Sequence, residues 1–139
     1  MALPESAKAL IRSGALGHLV TVGDSGAAQV TCVWVGVEGD DLLTAHLNPR
    51  LRKLENVRRD PRVALSFEGS EIRPPGLKEY VVVHGTATIE EGGAPELLQE
   101  LAHVYLGPEV RFPVMDDPPP GVRIRIAVER VGGIGPWAD

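Results

Sequence analysis

The sequence predicts a small, mostly β protein: a six-stranded antiparallel barrel, closed or split, decorated with short helices. Three observations lead there. Six short segments carry strand-like apolar patterning, and turn residues separate the first three of them. Only a few short helical segments accompany them, as in a small antiparallel barrel. The chain of 139 residues, 43% hydrophobic and 24% charged, is long enough for one core and has no second one in prospect, so residues 1–139 are taken as a single domain.

The elements follow in order. Pro4 to Ser13 reads as a helix, with Pro4 suited to the first turn, Glu5 at the positive end, Gly14 as a stop, and Leu3, Ala7, Leu10 and Ile11 as one stripe. Leu16–Val22 and Ala28–Val37 read as strands of a hairpin around Gly23-Asp24-Ser25-Gly26. A turn at Glu38-Gly39-Asp40-Asp41 leads to a strand from Leu42 to His46, completing a meander. The second of these strands is apolar at Val30, Cys32, Val33, Trp34, Val35 and Val37, on nearly both faces. Such a strand needs a cover on its outer side, and in so short a chain a second subunit is the expected one.

Asn48-Pro49 opens a helix from Arg50 to Arg59 whose buried side is Leu51, Leu54 and Val57, and Asp60-Pro61 ends it. Val63–Glu68 and Glu79–Glu90 read as strands, the latter with Gly85 at a bulge or bend. Ala94–Tyr105 reads as a helix, and Val122–Val131 as the last strand. Between these two lies a proline-rich loop with Pro113, Pro118, Pro119 and Pro120.

Charge narrows the function classes. The net charge is −5, which disfavours a nucleic-acid partner. Yet Arg50, Arg52, Lys53, Arg58, Arg59 and Arg62 crowd into one stretch, opposed only by Glu55 and Asp60. A basic island on an acidic protein suits a small anionic ligand, although a solvated helix face would read the same way. No apolar run approaches the roughly 20 residues that span a bilayer. The first residues lack the pattern of a signal peptide, and Cys32 is the single cysteine, so a cytoplasmic protein is expected. His18, His46, His84 and His103 show no metal-ligand spacing, and no metal site is predicted.

The chemistry concentrates between Leu42 and Phe67. A helix start presents free backbone N–H groups. Lys53 adds a full charge, Arg50 and Arg52 add forked donors, and Thr44 adds a hydroxyl from the preceding strand. His46 ends that strand and is a further candidate for the same side. Trp34 reads equally as a ring-stacking residue or as a core or interface tryptophan. Trp137, near the terminus, is expected to dock on its own fold or stay disordered.

The run Arg52-Lys53-Leu54-Glu55-Asn56-Val57-Arg58-Arg59-Asp60-Pro61-Arg62-Val63-Ala64-Leu65 resembles the K-x-x-N-[LV]-R-R-D-P-R-V-x-L signature of the pyridoxamine-phosphate-oxidase-like superfamily of FMN-binding split barrels. Val33-Trp34-Val35, the Y-V-x-V-x-G-x-A pattern from Tyr80 to Ala87 and the tail Gly132–Trp137 extend the resemblance, most closely to members that use the deazaflavin coenzyme F-420. The resemblance implies a homodimeric split β-barrel that binds F-420, or alternatively FMN, and passes hydride to an unsaturated or quinone-like small molecule. A flavin reductase or oxidase, and a non-catalytic flavin carrier, are the alternatives. It further implies that Lys53 contacts the cofactor phosphate, that Asn56 shapes that site, and that Arg50 and Arg52 reach other anionic groups. Thr44 and Ala45 fall beside the phosphate and Trp34 along the ring. Lys78, Glu79 and Tyr80 approach the cofactor, in the family often from the partner subunit. The spacing from Pro49 to Lys53 is a residue longer than in some members. The Arg-rich R-L-x-P ending of true pyridoxamine-phosphate oxidases is replaced by Gly135-Pro136-Trp137-Ala138-Asp139, which argues against vitamin B6 synthesis.

Overall fold

The structure, a computed structural model, describes residues 1–138. Helix α1 (Glu5–Arg12) leads into strands β1 (Gly17–Val22), β2 (Ala28–Val33), β3 (Gly36–Glu38) and β4 (Asp41–His46). Helix α2 (Arg52–Arg59), strands β5 (Arg62–Arg73) and β6 (Leu77–Glu91), helix α3 (Ala94–Tyr105) and strand β7 (Val122–Ile134) follow, and a single 3-10 turn covers Pro136–Ala138. The strands form one seven-stranded sheet in the order β2-β1-β5-β6-β7-β4-β3, and every neighbouring pair is antiparallel.

The order of the strands explains the barrel. β2 is one edge of the sheet and β3 is the other, yet only Trp34 and Val35 separate them. Three Cα steps reach about 11 Å at most, so the sheet must curl until its edges meet at this corner. β2 and β3 do not share a ladder, so the barrel is split along that seam. The predicted single strand Ala28–Val37 is therefore two strands on opposite edges, and the strand count is seven rather than six. The apolar run looked continuous for different local reasons. Val33 and Val35 enter the core, whereas Val30 is 60% exposed and Cys32 is also exposed. Among the described residues nothing covers the outer side of β2, and Cys32 is not the small buried residue its type suggests.

The inner face of the curled sheet supplies the core through Leu19, Leu42, Leu65, Phe67, Val83 and Ile126. Helices α1 and α2 add Leu10, Ile11, Leu54 and Val57 to it. Trp137 also belongs to this core, and its indole N–H donates to the Tyr80 carbonyl at 2.9 Å, so the tail docks on its own fold. β4 alternates as a strand should: Leu42 points inward, while Leu43 and Ala45 pack beneath Leu97 and Leu101 of α3 in a second cluster. The last turn of α3 is fixed to the seam by Tyr105, whose hydroxyl accepts from the Val35 N–H at 3.0 Å and donates to the Ala15 carbonyl at 2.9 Å.

Gly85 sits where the β6–β7 register slips between His84 and Gly85, as its position in the sequence suggested. A Cβ there would collide with the Ala127 carbonyl oxygen. Backbone gives way less readily than a side chain, so Gly85→Ala is expected to destabilise the fold by about 1–3 kcal/mol. Urea unfolding checks this, and an unchanged midpoint would show that the bulge tolerates a side chain.

Candidate functional site

A cavity of about 240 Å³ opens at the seam, where the end of β2, the end of β4, α2, α3 and the proline-rich loop converge. Cys32, Trp34, Ala45, His46, Lys53 and Phe112 line it, together with Leu16, Val33 and Leu98. The strand crossing places Cys32 and Trp34. α2 is anchored through Leu54 and Val57, which leaves Lys53 on the flank facing the cavity. Among the described residues no carboxylate pairs with the Lys53 ammonium. Burial pushes its pKa below the ordinary lysine range, and the Cys32 sulfur nearby offsets part of that shift. A half-buried cation without a counter-ion is costly to keep and favours an incoming anion.

Trp34 stacks on Tyr105 with ring centroids 5.5 Å apart and 14° between planes, and meets Phe112 edge-on at 5.2 Å. The loop carrying Phe112 is held to α3 by Gln99, which donates to the Val110 carbonyl at 2.8 Å and accepts from the Phe112 N–H at 3.2 Å. One wall of the cavity is thus aromatic and the opposite one cationic, an arrangement that suits a planar ligand with an anionic tail.

His46 is 8% exposed, and its Nε2 lies 2.8 Å from Thr44 Oγ1. Burial and the nearby Lys53 charge push its pKa down to about 4, against about 6.5 when unfolded. The folded pKa is depressed, so the unfolded chain takes up this proton first as pH falls. Stability from this residue is intact above pH 6.5 and is lost progressively towards pH 4, by about 2–3 kcal/mol in all. Urea unfolding of His46→Asn should show a flatter profile than the parent between pH 6.5 and 4.5, and parallel profiles would rule out His46 as the source.

The other sequence candidates divide. Ala45 and Trp34 join Lys53. Thr44 is 1% exposed and lies behind His46 rather than on the cavity wall. Asn56 is 3% exposed and turns away: its Nδ2 donates to Thr21 Oγ1 at 3.0 Å and to Gln29 Oε1 at 2.9 Å, while its Oδ1 accepts from Arg59 at 2.9 Å. Arg52 borders a separate cavity of about 510 Å³ under the β1–β2 hairpin, on the same flank as Asn56. Arg50 is exposed, and its backbone N–H bonds to Asn48 Oδ1 at 2.9 Å. Lys78, Glu79 and Tyr80 flank another hollow, with His18, Ser66 and Val82. Lys78 pairs there with Glu68 at 3.0 Å, and Glu79 faces Arg73 Nε at 3.5 Å. Within one chain these three do not line the Lys53 cavity. No local sequence pattern marks Leu98 and Phe112 as wall residues, since only closure of the seam brings them to Lys53.

Cross-strand register links the two regions. Cys32 pairs with His18, His18 with Ser66, and Ser66 with Val82, so all four share the outer face of the sheet. The neighbouring row runs Val30, Val20, Ala64 and His84. This weakly polar face runs from the Lys53 cavity to the Tyr80 hollow.

A single antiparallel sheet, curled until its edges meet and open along one seam, defines the protein as a split β-barrel. The chain belongs to the pyridoxamine 5'-phosphate oxidase family, whose sequence model matches residues 3–135. A 5a,11a-dehydrotetracycline/5a,11a-dehydrooxytetracycline reductase of Streptomyces rimosus is 28% identical over 130 residues, covering 88% of this chain and 92% of that protein. Among solved structures, an F-420 reductase superposes with a TM-score of 0.74 at 27% identity, covering 93% of this chain and 98% of that one. A conserved hypothetical protein of Mycobacterium tuberculosis superposes at 0.71 with 23% identity, covering 99% and 86%, a likeness of fold alone.

Proposed function

We propose that the protein is an oxidoreductase that binds coenzyme F-420 at the seam cavity and reduces a small unsaturated or quinone-like molecule. The observation that carries this reading is the unpaired, half-buried Lys53 ammonium opposite the Trp34–Phe112 wall. The residues present fit a phosphorylated, planar cofactor: a cation for the phosphate, and an apolar, aromatic surface for the ring. The names of the two relatives at 27–28% identity, both reductases, support the same reaction class.

The bound cofactor would supply the hydride, and the chain's own groups would bind, orient and exclude water. Lys53 would neutralise the phosphate, Trp34 would limit the tilt of the ring, and Phe112 and Leu98 would shed water from the acceptor side. The exposed basic residues Arg50 and Arg58 suit the acidic tail of F-420 better than the shorter FMN.

At about 240 Å³ the cavity is smaller than the roughly 300–1,000 Å³ of sites that enclose a cofactor-sized ligand. A second copy would complete it. The exposed outer face with Val30, Cys32 and Tyr80 supplies the surface for that copy, and the partner subunit's Lys78, Glu79 and Tyr80 would then reach the cofactor across it.

Titration with F-420 and with FMN, followed by fluorescence quenching, tests the reading, with enone, quinone and tetrapyrrole acceptors screened for turnover. F-420 binding with turnover supports it. Preference for FMN moves the protein to a flavin reductase, binding without turnover leaves a carrier, and binding of neither removes the proposed function.

A further inference from the structure

Thr44 and His46 are two residues apart on β4, so their side chains leave the same face of the strand. Thr44 is 1% exposed, and its hydroxyl has one hydrogen-bond partner among the described residues, His46 Nε2 at 2.8 Å. If the ring donated through Nε2, the buried hydroxyl hydrogen would have no acceptor, an arrangement that folded proteins avoid. The satisfied arrangement has Thr44 donating to Nε2, which places the ring proton on Nδ1. Nδ1 itself has no partner among the described residues, and it is not among the fully enclosed atoms that lack one, which are Thr31 Oγ1, Arg73 Nε and Arg123 Nε. Nδ1 therefore meets open space, and the open space that His46 lines is the Lys53 cavity.

We propose that His46 is a neutral ligand-binding residue: its Nδ1–H, oriented by Thr44, shares with the Lys53 ammonium one anionic group of the ligand, a phosphate ester. The inference rests on the reading that the cavity takes a phosphorylated cofactor. It assigns Thr44 to positioning rather than contact. The pairing is chemically economical. A second cation beside Lys53 would be repelled and desolvated, whereas a neutral N–H adds a directed bond without charge. The other titratable groups lining the cavity are Lys53 from α2 and Cys32 from β2, and among the described residues no carboxylate lines it. Burial and Lys53 hold the imidazole neutral well below pH 6 in the ligand-free protein.

The test compares each cofactor with its phosphate-free counterpart: F-420 with the deazaflavin riboside, and FMN with riboflavin. The FMN-to-riboflavin ratio isolates the phosphate, and the F-420-to-riboside ratio reads the phosphate together with the acidic tail. In the parent protein Lys53→Ala should collapse the ratio. His46→Phe should lower it about tenfold while leaving the phosphate-free ligand unaffected. His46→Asn, whose amide can replace the Nδ1–H, should restore most of it, and Thr44→Val should lower it a few-fold. Nitrogen-15 spectra of the histidine rings should show the Nδ1–H tautomer for His46, unchanged from pH 8 to 6 and shifted by inorganic phosphate. An intact ratio in His46→Phe, with Lys53→Ala still defective, overturns the role of His46 and leaves the cofactor reading standing. No loss in Lys53→Ala overturns the cofactor reading itself. If no cofactor binds, absence of a phosphate-induced shift overturns both.

Discussion

Lys53→Ala is expected to weaken cofactor binding by about 10- to 100-fold. A charge-assisted hydrogen bond contributes about 1.5–3 kcal/mol, and each 1.4 kcal/mol is a factor of ten. The residue has no carboxylate partner among the described residues. Its ammonium is partly desolvated, which lowers its pKa in the free protein. Removing it therefore deletes an interaction that exists only with ligand bound, and it relieves a cost in the ligand-free fold. The thermal midpoint should stay the same or rise while affinity falls. Fluorescence titration and a melting curve on the same sample check both halves. A lower midpoint with unchanged affinity would make Lys53 a structural residue.

Asn56→Ala should do the reverse. The side chain makes three hydrogen bonds, to Thr21, Gln29 and Arg59, from a position that is 3% exposed. Those to Thr21 and Gln29 fasten α2 to the β1–β2 hairpin, and that from Arg59 lies within α2. Losing them, at about 1 kcal/mol each, and leaving buried partners unsatisfied should cost about 3 kcal/mol of stability. Cofactor affinity of the molecules that remain folded should change little, because Asn56 borders the hairpin cavity and not the one lined by Lys53. Urea unfolding measures the first effect, and titration well below the unfolding midpoint measures the second. A tenfold loss of affinity at unchanged stability would place Asn56 on the ligand.

One motif carries residues in two different surroundings. Lys53 and Asn56 are three apart, close to one turn, and sequence periodicity puts them on one flank of α2. That flank is wide enough to face two cavities. Lys53 meets the seam, and Asn56 meets the hairpin. The spacing alone could not separate ligand contact from scaffold, because the distinction lies in what packs opposite, and that comes from β1, β2 and β4.

Much was legible in the residues themselves. Helix α3 runs over Ala94–Tyr105 as its apolar spacing predicts, and the turns at Gly23–Gly26 and Glu38–Asp41 close the expected hairpins. The bulge at Gly85 was visible too. These features are local: propensity, capping and turn chemistry act over a few residues. The sequence by itself thus determined a mostly β barrel and a basic helix after β4, and it singled out Lys53. Only the tertiary structure decided that the apolar run from Ala28 to Val37 breaks at Trp34 and bridges opposite edges of the sheet. Hydrophobicity records that a residue avoids water and says nothing of which surface it meets. The same closure brought Cys32, His46, Leu98 and Phe112 around Lys53, and it sent Lys78, Glu79 and Tyr80 to a different hollow. These groupings arise from strand order and register, which are set by contacts between residues far apart in the chain.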